Sequence, residues 1–395
     1  MISVAEARAI ILANAQPMPI EQIALEHALG RTLRAPIIAE RAQPPFAASA
    51  MDGFAVRSAD TPGTLHLIGE AGAGRALGKP LRPGACARIF TGAPMPTGAD
   101  AVVIQEEARR DGDRVQVPPL EPGKHVRRAG ADFSEGAELL PSGQALHAGA
   151  ITLAAAAGRA LLPVSVKPRV AVLSGGDEIV PPGADPGPHQ IFDSVSYGVS
   201  ALCQAWGAAP QRTAPLSDDR VAIAKSVAAS LRDSDLLVLI GGASVGDHDH
   251  ARPALTALGA ELLFAKVALR PGKPTWFARC AGKLVLGLPG NPASALVCAR
   301  LFLLPLLRQL LGADAAPASV PRKARLRGML KPNGDRETYL RALTATDALG
   351  QVRVESFANQ DSSSVSIFAS SNALLVRAPH APAAHDGELV DVLDL

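Results

Sequence analysis

Cysteine is scarce and unpaired. Cys86, Cys203, Cys280 and Cys298 lie far apart and form no C-x-x-C pair, so neither a zinc site nor a disulfide framework is signalled, and a reducing cytoplasm fits. An apolar run of about 18 residues, the length a membrane span needs, is also missing. Even Leu301 to Leu311 is broken by Pro305 and Arg308. No block of like charge occurs: 39 Lys+Arg against 37 Asp+Glu leave a net charge of +2. Nucleic acid and an anionic membrane surface are therefore not expected as partners, and any anion must be held by a local site. The opening stretch from Met1 has no basic leader. Ser3 and Glu6 there read instead as a helix capping box.

The residues present describe a globular chain. Apolar types make up 48% and charged types 19%, too little charge for disorder. A length of 395 residues exceeds one ordinary core and implies more than one domain. Helical apolar spacing over 4–14 and 20–30, the second closing on Gly30, predicts two opening helices. From about 39 to 137, short apolar runs such as Leu65–Ile68 and Ala101–Ile104, punctuated by Gly and Pro, predict a β-rich module. An Ala-rich helix over 144–161 is expected to return onto the opening helices, making that module an insertion. From Pro168 strand and helix alternate: Arg169–Ser174, a helix over Ser194–Trp206, Leu236–Ile240, Lys283–Leu288 and a helix from Ala293 to Leu311. That is an α/β domain with a mainly parallel sheet. After Pro317 alternating segments predict a small β-rich end. The resulting partition is a helical support (1–38 plus 138–166), an inserted β-rich domain (39–137), an α/β domain (167–314) and a C-terminal β domain (315–395).

Three glycine-containing loops follow predicted strands of the α/β domain. They are Ser174-Gly175-Gly176-Asp177-Glu178, the stretch from Gly241 and Gly242 through Ser244 and Gly246 to Asp249, and Pro289-Gly290-Asn291-Pro292. Such loops gather at the carboxyl ends of the strands, where glycine lets backbone N–H groups approach an anion. One loop alone is equally well a tight turn; three together point to phosphate. The acidic residues among them imply either a bridging magnesium ion or an amide on the ligand, with helix capping the plainer reading for Asp177. His248 and His250 read as surface residues, since no third ligand is placed. Lys266, Arg270 and Lys273 put three cations in eight residues around a Pro-Gly turn, a candidate clamp for a small oxyanion. Asp52 beside Gly53 reads, by itself, as a turn residue.

Taken in order, these segments resemble the MoeA family, whose eukaryotic relatives include the gephyrin E domain. The marks run over nearly the whole chain: Ser-Ala-Met-Asp52-Gly-Phe-Ala, the run from Thr91-Gly-Ala-Pro, Arg127-Arg-Ala-Gly-Ala-Asp132, Gly176-Asp-Glu178, Asp193-Ser194, the loop ending in Asp249, Arg270-Pro-Gly-Lys273-Pro and Pro289-Gly-Asn-Pro-Ala-Ser294. Their joint order and spacing are specific. The resemblance implies a multidomain α/β and β protein with a MogA-like α/β domain, acting as a homodimer. The cleft would lie between the α/β domain of one subunit and the inserted domain of the other, with Asp52 and Thr91 completing the partner's site.

It also implies a transferase reaction. Adenylylated molybdopterin and molybdate enter, and molybdenum cofactor and AMP leave. The glycine loops would hold the pterin phosphate and nucleotide. Arg270, Lys273 and Ser294, with Ser362 or Ser363 and Arg336 or Arg341, would cradle molybdate. Asp249, Glu178 and Asp52 would position magnesium or shuttle protons. A MogA-type adenylyltransferase and apo-molybdoenzymes are the implied protein partners. The chain departs from the family pattern at Ala47-Ala48, Gly175, Val195 and Arg270, of which Gly175 and Val195 remove polar side chains beside ligand loops. The alternatives are a tungstate-specific insertase and a non-catalytic cofactor carrier or scaffold. A stand-alone adenylyltransferase is disfavoured by the inserted and terminal domains. Because Asp249 and Lys273 lie in loops outside any core periodicity, Asp249→Ala and Lys273→Ala should each abolish metal insertion while the dimer persists; unfolding of both variants would overturn the site assignment.

Overall fold

The computed structural model describes residues 1–241 and 250–395. Two compact units are formed. One contains Met1–Glu21, Gly30–Arg34 and Pro163–Leu395; the other contains Gln22–Leu29 and Ala35–Leu162.

The first unit is built on a six-stranded sheet. Its strands, in spatial order, are Ala209–Arg212, Arg169–Ser174, Leu236–Ile240, Lys283–Leu288, Trp276–Cys280 and Glu261–Phe264. The first four run parallel and the next two pairings are antiparallel. Every residue of Leu236–Ile240 is buried, as a strand covered on both faces requires. On one face Val195–Ala205 contributes Val199 and Cys203, and on the other Arg220–Asp233 contributes Val227 and Leu231.

The long helical stretch from Pro292 to Leu310 joins the same core. Its length and composition would allow it to cross a membrane, and 78% of its apolar window is buried within the protein, as in a core helix. The opening helix, Val4–Asn14, starts at the expected capping box: Ser3 Oγ accepts the Glu6 N–H at 3.1 Å while the Glu6 carboxylate accepts the Ser3 N–H at 2.7 Å. Its Val4, Ala7 and Ile11 pack into the α/β core with Leu303, Leu306 and Leu307.

Two features of the expected helical support are corrected. The second opening helix is a strand, Ile20–Ala24, followed by a single 3-10 turn, Leu25–His27. The i, i+3 spacing of Ile20 and Ile23 had the helical period, but Ile20 and Leu29 are exposed, so that spacing marks no buried stripe. The later helix is shorter than expected, Ala148–Ala156, and belongs to the second unit, whereas the opening helix packs on the α/β core.

Also in the first unit, five strands close on themselves. Glu337–Thr346 pairs with both Val352–Ser356 and Ala373–Arg377, and Arg322–Leu326 and Leu389–Asp394 complete the ring. Closure removes the exposed sheet edges that would otherwise invite pairing with another chain. Leu269–Arg270 adds a short parallel strand to Glu337–Thr346, so the backbone of the basic segment is itself part of the barrel.

The second unit holds a mixed six-stranded sheet, with strands Ala101–Ile104, Gly53–Val56, Ala85–Ile89, Gly63–Ala71, Arg114–Val117 and Arg109–Asp111 in spatial order. Phe54, Val56, Leu65, Cys86 and Val103 form its core.

Within the α/β sheet Gly287 is paired with Trp276, which is fully buried. A Cβ at Gly287 would lie 1.9 Å from Trp276 Cε2. Gly287→Ala is therefore expected to overpack the sheet and destabilise it by about 1–3 kcal/mol; a urea unfolding midpoint equal to that of the wild type would contradict this.

Candidate functional site

The parallel strands deliver their carboxyl ends to one edge of the sheet, where the described glycines of the expected loops come together. Gly241 follows Ile240 with φ of 82°, and a Cβ on it would lie 2.9 Å from the Gly175 carbonyl oxygen, so only glycine suits this close approach. A Cβ on Gly290 would in turn lie 3.5 Å from Gly241 Cα. Gly175, Gly241 and Gly290, one from each strand end, thus lie together on one floor. Above it opens a cleft of about 940 Å³ lined by the expected Ser174, Gly176, Glu178, Asp193, Ser194, Lys266, Lys273, Pro289, Gly290, Asn291, Pro292 and Ser363. Ile191 and Phe192, both exposed, give it an apolar wall.

Not all of these side chains have free valences. Asp193 is buried: Oδ2 accepts the Ser174 hydroxyl at 2.8 Å, and Oδ1 accepts the Ser196 N–H at 3.1 Å. It holds the end of one strand to the start of the next helix. Asp177 caps no helix, contrary to expectation; it accepts the Asp218 N–H at 3.0 Å, bracing a turn. At the helix beginning with Pro292 the N–H of Ala293 is already taken by the Ser362 carbonyl at 3.0 Å, and Pro292 has none, which leaves less backbone for an anion than the sequence implied.

A second cleft, of about 610 Å³, adjoins the first at Lys273 and Pro274, which line both. It contains the expected Arg270, Ser294, Arg336 and Ser362. It also contains Lys331, Asn333 and Arg377, which sequence reasoning missed. The signal available for two of them was the Lys331-Pro-Asn333-Gly turn. Arg270, Lys273, Lys331, Arg336 and Arg377 line it together with a single carboxylate among the described residues, Asp361. Asp361 is itself held ionised: the Ser363 hydroxyl and N–H donate to it at 2.6 and 2.8 Å and lower its pKa. Asn333 organises the basic side, donating to the carbonyls of Arg336, Arg377 and Ala378 while accepting the Thr338 hydroxyl.

Arg341 requires a correction. It lines neither cleft and is fully buried, donating from Nη2 to the Asp361 carbonyl at 3.1 Å. Of the pair Arg336 and Arg341, only Arg336 reaches the cleft. Gly242, Ser244, Gly246 and Asp249 lie outside the described residues.

Asp52 and Thr91 meet within the second unit. Asp52 Oδ1 accepts the Thr91 N–H at 2.7 Å and its hydroxyl at 2.8 Å. Next to them Arg88 donates to the Gly53 carbonyl at 3.0 Å and to Gln105 Oε1 at 2.6 Å, and lies over the rings of Phe54 and Phe90. Asp132 is exposed, and its N–H donates to the Gln43 carbonyl at 2.9 Å.

The described residues include no group of three His, Cys, Asp or Glu suited to a metal ion. Burial pushes the thiols of Cys203 and Cys298 up to about 12 and that of Cys86 up to about 11, so these are neutral thiols at physiological pH rather than ligands or nucleophiles.

Three family profiles match in sequence: MoeA N-terminal region (domain I and II) over residues 2–158, probable molybdopterin binding domain over 171–309, and MoeA C-terminal region (domain IV) over 323–395. A molybdopterin molybdenumtransferase of Nostoc sp. is 37% identical, the match covering 81% of this chain and 76% of that protein. One from Bacillus subtilis is 33% identical, covering 94% and 89%.

The chain belongs to the MoeA family.

A crystal structure of the molybdopterin biosynthesis MoeA protein from Pyrococcus horikoshii OT3 superposes with a TM-score of 0.86 at 26% identity, covering all of both chains. In this MoeA-family chain the Asp52 corner has a titration signature. Hydrogen bonds from the Thr91 N–H and hydroxyl, aided by the charge of Arg88, hold the Asp52 carboxyl below its ordinary value of 3.8. The contribution to stability is present above that value and is lost as pH falls through the lower folded pKa. Thr91→Val, which keeps only the backbone donor, should move the Asp52 pKa upward in a carboxyl-carbon NMR titration; an unmoved pKa would deny the hydroxyl this role.

Proposed function

We infer that this chain is a molybdopterin molybdenumtransferase that inserts molybdate into adenylylated molybdopterin, giving molybdenum cofactor and AMP. The observation that carries the reading is the pairing of two clefts of opposite character at one lysine. The cleft on the glycine-loop floor, about 940 Å³, is large enough for a nucleotide-bearing ligand and has an apolar wall suited to a flat ring system. Its neighbour sets five cations against one carboxylate, a composition suited to a tetrahedral dianion. Lys273 borders both and would contact the groups that react.

The residues present suggest how the transfer is helped. Cations in the smaller cleft neutralise molybdate and offset the negative charge on one oxo group, which leaves as water with the two dithiol protons as both sulfurs bind the metal, while a water cleaves the phosphoanhydride to release AMP. Ser294 and Ser362 can donate hydrogen bonds to the same oxygens. Holding the pterin nucleotide on the loop floor brings its dithiolene against the oxyanion, converting an encounter of two ligands into a reaction within one complex. Magnesium, homodimer formation, a cytoplasmic setting and work alongside a MogA-type adenylyltransferase and apo-molybdoenzymes belong to the same reading through the family. Magnesium typically takes one or two protein carboxylates with substrate phosphates and water. The described residues alone do not complete a site for it, and no step above depends on it.

Single-turnover conversion of adenylylated molybdopterin, with magnesium and either molybdate or tungstate, tests the assignment. AMP release together with activation of an apo-molybdoenzyme supports the transferase and identifies its oxyanion; tight pterin binding with neither outcome makes the chain a carrier. Arg336→Ala should raise the KM for molybdate roughly tenfold, as expected when one charge-assisted hydrogen bond is lost, while leaving pterin-nucleotide affinity within about twofold. An equal loss of both affinities would count against separate clefts.

A further inference from the structure

Arg341 is an odd residue to keep. Its side chain is fully buried, it makes no salt bridge among the described residues, and its Nε and Nη1 have no hydrogen-bond partner there. Burying a guanidinium without a hydrogen-bonded carboxylate is costly, so stability alone does not account for it. Desolvation lowers its pKa, and the nearby charge of Asp361 offsets this only in part. Its one side-chain hydrogen bond goes to the carbonyl of Asp361, which also accepts the Ser364 N–H at 3.2 Å.

The segment it contacts is the wall between the clefts. Gln360, Asp361 and Ser362 line the smaller cleft, and Ser363 lines the larger. Gln360 grips the backbone of Arg341 on both sides: its Oε1 accepts the Arg341 N–H at 2.9 Å, and its Nε2 donates to the Arg341 carbonyl at 2.9 Å and to the Phe357 carbonyl at 2.8 Å. The side-chain amide thereby stands in for a neighbouring peptide. At its far end the segment is tied to the loop floor, where Asn291 Nδ2 donates to Ser362 Oγ at 2.9 Å and the Ala293 N–H donates to the Ser362 carbonyl at 3.0 Å.

We propose that Arg341 and Gln360 are positioning residues that hold the 360–363 wall in the one placement that brings the two ligands into reacting register. The inference rests on the reading of the clefts as oxyanion and pterin-nucleotide sites. Neither side chain needs to touch the reacting atoms. Arg341 acts through the Asp361 carbonyl, and Gln360 acts through the barrel strand, so together they fix where Ser362 and Ser363 stand relative to Lys273.

Arg341→Met, Arg341→Lys and Gln360→Ala test this in the full-length protein, by thermal melting, hydrogen exchange and single-turnover insertion. Replacing a buried unpaired charge by an apolar side chain of similar length is often neutral or stabilising. Arg341→Met should accordingly melt at or above the wild-type temperature, yet turn over roughly tenfold to a hundredfold more slowly, as expected for a displaced reacting geometry. Affinity for the pterin nucleotide should stay within about threefold. Arg341→Lys should recover part of the rate, and Gln360→Ala should lose rate in the same way. Amide exchange at Ala293, Ser363 and Ser364 should quicken in Arg341→Met and Gln360→Ala. Wild-type turnover in Arg341→Met, or a rate loss that only follows a lowered melting temperature, would overturn the proposal. Should the wild-type protein transfer no molybdenum at all, the functional reading fails by itself, and unchanged exchange at those three amides would then overturn the positioning role independently.

Discussion

Ser362 is the residue through which the α/β layer and the C-terminal barrel are tied at the clefts. Its carbonyl takes the Ala293 N–H and its hydroxyl takes the Asn291 amide, so the helix start that the sequence offers to an anion is partly satisfied by the barrel instead. The same union is repeated at Leu269–Arg270, which runs as a short strand beside Glu337–Thr346. With both ties made, the loop floor and the basic cleft share a wall and a lysine. Without them, the two would be independent surfaces on separate modules, and neither cleft would have its second side.

The concentration of positive charge in the smaller cleft has to be maintained against its own repulsion. The structure does so with backbone hydrogen bonds more than with close counter-ions. Asn333 spends its amide on the carbonyls of Arg336, Arg377 and Ala378, fixing the chain on either side of the arginines, while the one carboxylate near Arg336 among the described residues is the exposed Asp335 at 3.9 Å. Asp361, the one lining carboxylate, is occupied by Ser363. A cleft arranged in this way is electrostatically unsatisfied until an anion enters, and such preorganisation is what makes charge stabilisation effective once it does.

Much of this was legible in the chain and some was not, for identifiable reasons. Strands such as Leu236–Ile240 and Lys283–Leu288 were readable because burial on both faces leaves a continuous apolar run, and the loops after them because glycine is needed where backbones nearly touch. The helix expected over 20–30 was misread because a short apolar spacing of three does not say whether the residues are buried; Ile20 and Leu29 are not. Arg336 and Arg341 stand as alternatives in the resemblance because they lie only five residues apart in the C-terminal domain. Position along a strand cannot tell which of two nearby side chains reaches a cleft, and here only one does. Lys331 and Arg377 were passed over because nothing local links residues 46 positions apart until the Arg377 side chain donates to the Lys331 carbonyl.

The sequence by itself determined the order of the modules, the parallel α/β sheet, the three loops at its edge and the MoeA family, since these follow from local periodicity and from motifs whose spacing is written along the chain. Only the tertiary structure decided that a closed barrel supplies the second half of the basic cleft, that Lys273 lines two clefts, that Asp193 is already engaged by Ser174 and Ser196, and that Arg341 lies buried outside both clefts. Those outcomes depend on which hydrogen bonds and charges are already satisfied when distant segments meet, and satisfaction is a property of the folded arrangement that no single stretch of chain contains.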